Sequence, residues 1–341
     1  MGLPRDCEIN LPNKYEKGRR NLITDVPGVK VGHVTLADEK NDIHTGVTAV
    51  LPHSGNTFKE KVPAAVHVIN GFGKSTGLIQ IEELGTMETP VVMTNTFGVG
   101  TALNALTKYM LSQNEDIGVS TGTVNSVVTE CNDGELNDIR GMHVSEADVL
   151  SALENAGEDF EEGAVGGGTG MICMGMKGGI GSASRMVTFD GEKFTIGVIV
   201  MSNFGFFGNL RIGGKLVGTE LSKPSGPEKG SIIMLIGTDI PLSDRQLRRM
   251  ARRSTVSLGR VGSYLGTGSG DIAIAFSNKN LIPHYSEKQI LSTSYLHEDK
   301  MDNVFEATAE AVEEAIISAL YHAETMTGIR EKTVHGLREY L

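Results

Sequence analysis

A glycine–serine junction, Gly230–Ser231, stands at the mouth of the apolar run Ile232-Ile233-Met234-Leu235-Ile236. Ahead of it lies the polar segment Leu221–Lys229 (LSKPSGPEK), which Pro224, Gly226 and Pro227 make unsuitable for helix or strand. A serine at the first residue of a strand, after a loop and a glycine, sits where a chain would be cut if its hydroxyl attacked the preceding carbonyl. The cut would leave Ser231 as a new N-terminus, with nucleophile and base on one residue. A loop that simply enters a strand has the same local sequence, so the junction alone decides nothing.

Three further groups have the chemistry to serve such a serine. Gly266-Thr267-Gly268-Ser269-Gly270-Asp271 precedes the run Ile272–Phe276. As extended chain it puts the Ser269 hydroxyl and the Asp271 carboxyl on one side. That pair could hold and polarise Ser231, whose new α-amino group (free pKa about 7.7–8.0) could take the proton. The alternative is a glycine-rich hairpin turn. Asn203, in Ser202-Asn203-Phe204-Gly205, ends the apolar strand Thr195–Met201. Its amide either caps that strand or donates to a developing oxyanion, as asparagine does in acyl transfer. In Val127–Asn137 (VVTECNDGELN), Glu130 stands at a strand end. It belongs to an acidic turn, or it is a carboxylate placed for a substrate's free ammonium group.

Other motifs fail on spacing. Gly71-Phe72-Gly73-Lys74-Ser75 looks like the end of a phosphate loop, but Val68 occupies the position of the first glycine. A turn after the strand Ala64–Ile69 is the better reading. Gly166-Gly167-Gly168-Thr169-Gly170 misses the dinucleotide pattern because position 171 is methionine, which leaves a turn where backbone approaches a ligand. The nine histidines form no HExxH pair, and no GxSxG elbow supports a histidine triad. Cys7, Cys131 and Cys173 are far apart and suggest neither a disulfide framework nor a zinc site.

The elements that must carry these groups are legible as alternating β and α patterns. Strands are expected at Val47–Leu51, Ala64–Ile69, Val91–Thr94, Thr195–Ser202, Ser231–Gly237 and Asp271–Ser277. Helices are expected at Gly98–Leu111, Ser145–Asn155, Ser243–Arg253 and Asn303–Thr327. The last should bury Phe305, Val312, Ile316, Ala319 and Leu320 and stop at Gly328. The stretch after Lys229 is too thin to fold alone, so the 341 residues read as a single α/β domain, sheet sandwiched between helices, whose covalent chain is open to interruption. The 43 glycines follow no period and point to tight turns and close backbone approaches.

The formal charge of −11, from 31 basic and 42 acidic residues, argues against a nucleic-acid partner. The one basic cluster, Arg245–Arg253, reads as a solvated or subunit-contact helix face. No apolar run approaches a membrane span, and the first residues lack the apolar core of a secretion signal, so cytoplasmic is the default expectation.

Taken together, these residues resemble the self-processing serine aminopeptidases, a family that includes L-aminopeptidase/D-esterase-amidase and the β-peptidyl aminopeptidases. The resemblance starts at Asn21–Thr35 (NLITDVPGVKVGHVT) and continues through Gly71–Gly85, Thr94-Asn95-Thr96, Glu130–Gly134 and Gly166–Gly170. It ends with Ser202–Gly205, Gly230–Ser231, Ala251–Ser263 and Gly268–Asp271. The resemblance implies autocleavage at Gly230–Ser231 into an α-chain, 1–230, and a β-chain, 231–341. It makes Ser231 the nucleophile, supported by Ser269 and Asp271, with Asn203 as oxyanion donor and Glu130 as binder of the substrate amino group. It further implies a four-layer αββα sandwich similar to N-terminal-nucleophile hydrolases but differently connected, with no metal or organic cofactor. Oligomers of αβ heterodimers, commonly four, are implied as well. Short peptides, aminoacyl amides or esters would be the substrates. The rivals are a self-processing N-acyltransferase of the same fold, whose second chain begins with threonine, and an unprocessed binding homologue without activity.

Overall fold

The computed structural model describes Ile9, residues 11–218 and residues 228–341. Cys7 and positions 221–227 of the polar segment lie outside the described residues. In chain order the principal strands are β1 (Lys30–Asp38), β2 (Ile43–Leu51), β3 (Glu60–Gly71), β4 (Val91–Asn95), β5 (Val127–Cys131), β6 (Gly179–Phe189), β7 (Glu192–Gly205), β8 (Lys229–Thr238), β9 (Gly268–Ser277) and β10 (Ile282–Pro283). The helices are α1 (Leu78–Leu84), α2 (Val99–Gln113), α3 (Glu146–Glu154), α4 (Asp244–Ala251), α5 (Ser254–Arg260) and α6 (Met301–His322).

One sheet runs β1-β2-β4-β5 and the other β10-β3-β9-β8-β7-β6, with the short strand Thr86–Met87 added on β3. Neighbours are antiparallel except β4 with β5 and β8 with β9. Parallel neighbours need a crossover. Here α2 makes the first, and α4 with α5 makes the second.

The continuous apolar run of β8 is explained by what lies on its two sides. Ile232, Met234 and Ile236 enter a core shared with α4, α5 and α6, whereas Ile233 and Leu235 enter the core between the sheets. In β9, Ala273 and Ala275 face the helices, and Ile272, Ile274 and Phe276 face the other sheet. A third apolar layer lies between the first sheet and α2 and α3. Helix, sheet, sheet and helix therefore stack as an αββα sandwich of the α/β class. Strands from both sides of Ser231 share one sheet, since β8 and β9 lie between β3 and β7.

Most expected elements are present, and the differences have local causes. Helix α3 has Ser145 as its N-cap in a capping box with Asp148, and α4 has Ser243 with Gln246. Helix α6 buries the expected stripe but ends at His322, not at Thr327. Ala323 is already extended, and Met326–Gly328 pairs with Lys332–Val334, so Gly328 is a strand residue and not a helix stop. Strand β6 carries no large apolar alternation because α6 crosses close above it. A Cβ at Gly181 would lie 2.0 Å from the Ala315 carbonyl. The basic cluster is a partnered face: Arg245 and Arg249 pair with Glu298, and Arg248 with Glu82.

Candidate active site

Strand β8 brings Ser231 between two neighbours. Across the antiparallel ladder with β7 it faces Asn203, and across the parallel ladder with β9 it faces Gly270. Its hydroxyl accepts the Gly270 N–H at 3.2 Å, and the residue is 6% exposed. Immediately before it, Gly230 has φ +108, which L-residues with a side chain rarely adopt. A Cβ there would fall 1.8 Å from the Asn203 carbonyl. Glycine is thus required by the ladder as well as by the backbone angle. Gly230→Ala should cost about 1–3 kcal/mol or more, because strain and collision act together. Thermal unfolding of the Ser231→Ala background with and without Gly230→Ala measures it, and an unchanged midpoint would contradict the geometry.

Ser269 and Asp271 stand two apart in β9, and the Ser269 hydroxyl donates to Asp271 Oδ1 at 2.5 Å. The sequence expectation that they share a face is met. However, the register pairs Ser269 with Gly230 and Asp271 with Ile232, one step to either side of Ser231. Because side chains alternate, the pair stands beside the Gly230–Ser231 peptide and not on the Ser231 hydroxyl, which meets a backbone N–H instead. Asp271 Oδ2 is buried without a hydrogen-bond partner. Burial, with some help from the charge of Glu228, pushes the Asp271 carboxyl up to about 6 against the opposing Ser269 hydrogen bond.

Asn203, near the end of β7, is clamped at both ends of its amide. Oδ1 accepts the Ile172 N–H at 2.8 Å, and Nδ2 donates to the Asn132 carbonyl at 2.9 Å. An amide nitrogen has two hydrogens, so this leaves a second donor in a fixed direction. Glu130, the penultimate residue of β5, is 3% exposed. Oε1 accepts the Lys74 N–H at 2.8 Å, and Oε2 accepts the Thr96 hydroxyl.

Two contributors have roles that residue types alone do not give. The Gly71–Lys74 stretch, a turn by its residues and part of the family resemblance, is the wall joining these groups. Phe72 donates its N–H to the Ser269 carbonyl at 3.2 Å, and Lys74 holds Glu130. It acts through backbone atoms, which residue types do not advertise. The second is Lys177, fully buried, whose ammonium donates to the carbonyls of Gly168, Met171 and Gly178. It ties the loop that presents Ile172 to Asn203, and burial lowers its pKa to about 7. The Gly166–Gly170 run, for which the sequence left open a turn approaching a ligand, is packed against other parts of the protein. A Cβ at Gly166 would lie 2.4 Å from Thr48 Oγ1, and one at Gly168 would lie 2.5 Å from the Ile180 nitrogen. The buried thiols compete poorly as nucleophiles: desolvation pushes Cys131 well up and Cys173 to about 12.

The sequence pattern of Peptidase family S58 matches residues 21–334. The β-peptidyl aminopeptidase BapA of Sphingosinicella microcystinivorans is 38% identical, over 98% of this chain and 89% of its own length. The crystal structure of the PH0078 protein from Pyrococcus horikoshii OT3 is similar with a TM-score of 0.93 at 52% identity, covering 98% of this chain and 95% of that one. The L-aminopeptidase D-Ala-esterase/amidase of Ochrobactrum anthropi, described as a prototype serine aminopeptidase with a variant of the Ntn-hydrolase fold, gives 0.90 at 38% identity and covers 97% of each chain. With its fold, its serine at the head of β8 and these relatives in agreement, the chain belongs to Peptidase family S58.

Proposed function

We propose that the chain cuts itself between Gly230 and Ser231 and that the freed Ser231 is the nucleophile for removing N-terminal residues from short peptides, amino-acid amides or esters. As a member of its family it is a serine-type hydrolase of the aminopeptidase kind. The observation that carries the finer reading is the seating of the junction: a glycine at φ +108 followed by a serine locked between two strands.

In processing, Ser231 Oγ attacks the Gly230 carbonyl carbon and the C–N bond breaks, moving the acyl group from nitrogen to oxygen. Water then hydrolyses the ester, leaving a Gly230 carboxylate and a free Ser231 amine. In turnover the same Oγ attacks the substrate carbonyl while the Ser231 amine takes its proton and passes it to the leaving group. Water resolves the acyl-enzyme. The Ser269–Asp271 pair, set beside the 230–231 peptide, suits support of that amine better than contact with Oγ. The second Asn203 N–H would bind the developing oxyanion. Glu130, a fixed anionic group, would take the substrate ammonium and limit attack to the first residue.

In this reading the two chains remain one domain, because β8 and β9 stay between β3 and β7. Assembly of αβ units, commonly four, has exposed Val68, Ile79 and Leu84 to draw on. The free, buried Cys131 and Cys173 suit a reducing, cytoplasmic location. No helix among the described residues is long and apolar enough to cross a membrane.

Intact mass of fresh protein under denaturing conditions tests the reading directly. Species of 1–230 and 231–341, the latter with a free N-terminal serine, are expected; a lasting full-length mass sinks it. The pH dependence is a second check. The chemistry needs the Ser231 amine neutral (free pKa about 7.7–8.0) and Asp271 ionised (about 6), so log kcat/KM should fall with a slope of about one below pH about 8 and steepen to about two below pH about 6. A slope that stays at about one down to pH about 5 would exclude the Asp271 role. The stability sign is opposite. Asp271's folded pKa is raised above its unfolded value near 3.9, so its contribution is full below that value and lost as pH rises through about 6.

A further inference from the structure

Two residues ahead of Gly230, Glu228 is a carboxylate at 4% exposure. Leaving a charge out of water is costly unless donors replace the water. Here they do. Its Oε1 accepts the Ser263 hydroxyl, its Oε2 accepts the Tyr264 N–H at 3.0 Å, and its own N–H donates to the Tyr264 hydroxyl at 2.8 Å. Ser263 and Tyr264 belong to the loop from α5 to β9, which continues through Gly266 to Ser269. Gly266 lies directly on Glu228, where a Cβ would come within 2.7 Å of the Glu228 carbonyl. The Gly266 carbonyl in turn accepts the Asn70 amide at 2.6 Å and the Ser269 N–H at 3.0 Å.

Both strand ladders run through the junction, pairing Ser231 with Asn203 and Gly270 and, on the acyl side, Gly230 with Phe204 and Ser269. They hold main chain to main chain; the nearest side-chain anchor described on the acyl side is Glu228, and Gly230 between it and Ser231 is conformationally permissive. Attack by Oγ requires the carbonyl carbon to be held close and in line. We propose that Glu228 is the positioning residue for self-cleavage, fixing the acyl side of the scissile peptide to the loop that carries Ser269. The inference rests on the self-processing reading above. Once the bond is cut, that requirement ends, so Glu228 acts on maturation and not on later turnover.

The test follows intact mass over time in freshly purified wild type and Glu228→Gln, then measures turnover of an aminoacyl p-nitroanilide at pH 8 after maturation is complete. Glu228→Gln should lengthen the cleavage half-time about ten- to a hundred-fold, as expected for weakening a charged hydrogen-bond set. Its matured form should turn over within about twofold of wild type. If Glu228→Gln does not accumulate as folded protein, the Ser263→Ala/Tyr264→Phe pair removes one donor to the carboxylate and the acceptor of the Glu228 N–H, and should give the same split. Cleavage at the wild-type rate overturns the proposal, as does a matured variant whose turnover falls as far as its cleavage rate. A wild type that never cuts is a different failure: it removes the self-processing reading, and this role with it.

Discussion

Ser231→Ala is expected to give a folded, full-length chain that neither cuts itself nor turns over aminoacyl amides. The hydroxyl is the sole atom group lost, and its hydrogen-bond partner is the Gly270 N–H, a backbone group on a neighbouring strand. The ladders to β7 and β9 use the main chain and survive the change. Removing a nucleophile in a comparable hydrolase costs on the order of 10⁶ in turnover, because the remaining groups can orient a substrate but not attack it. The measurements are intact mass, circular dichroism and release of p-nitroaniline. An uncut Ser231→Ala protein with measurable aminopeptidase turnover would place the nucleophile elsewhere, and the two buried thiols offer no ready substitute.

Asn203→Ala should be the next most damaging change. The amide is oriented by the Ile172 N–H and the Asn132 carbonyl, and its spare hydrogen is directed by those two bonds. Loss of one oxyanion donor costs about 10²–10³ in kcat, or about 2.7–4 kcal/mol of transition-state stabilisation. Because self-cleavage passes through the same kind of oxyanion, its half-time should lengthen by a similar factor, and that is the first readout. Substrate KM should change little, since the donor acts on charge that develops only in the transition state. Cleavage and kcat both within about threefold of wild type would remove Asn203 from the mechanism. Asn203→Asp separates donor from acceptor. It keeps an acceptor for Ile172, loses the donor, and should be as slow as Asn203→Ala.

Much of the architecture was readable because its signals are local. The run Ile232–Ile236 predicts a strand buried on both sides, and the structure splits its side chains between two cores. Ser145 and Ser243 announce their helices through hydrogen bonds spanning three residues. The failures share one cause. Gly179–Phe189 is a strand whose small residues are explained by distant parts of the chain lying on it: α6 on Gly181, Gly163 on Gly179, and the N-terminal segment on Ser182 and Ser184. The end of α6 was misplaced because Gly328 is held by pairing with Lys332, not by helix capping.

For the site, the residue types alone determined the chemistry on offer: a serine after a glycine, a serine–acid pair two apart, an asparagine ending an apolar strand, and an acid within a strand-to-turn segment. What only the tertiary structure decided is which of these meet and through what. The parallel register of β8 and β9 sets Ser269 beside Gly230 and gives Ser231 a backbone partner. The Lys74 N–H, the Ile172 N–H and the Asn132 carbonyl orient Glu130 and Asn203. Backbone donors and acceptors are the same at nearly every residue. A sequence therefore names the side chains that can react, while their aim is set by main-chain groups brought close only when distant strands pair.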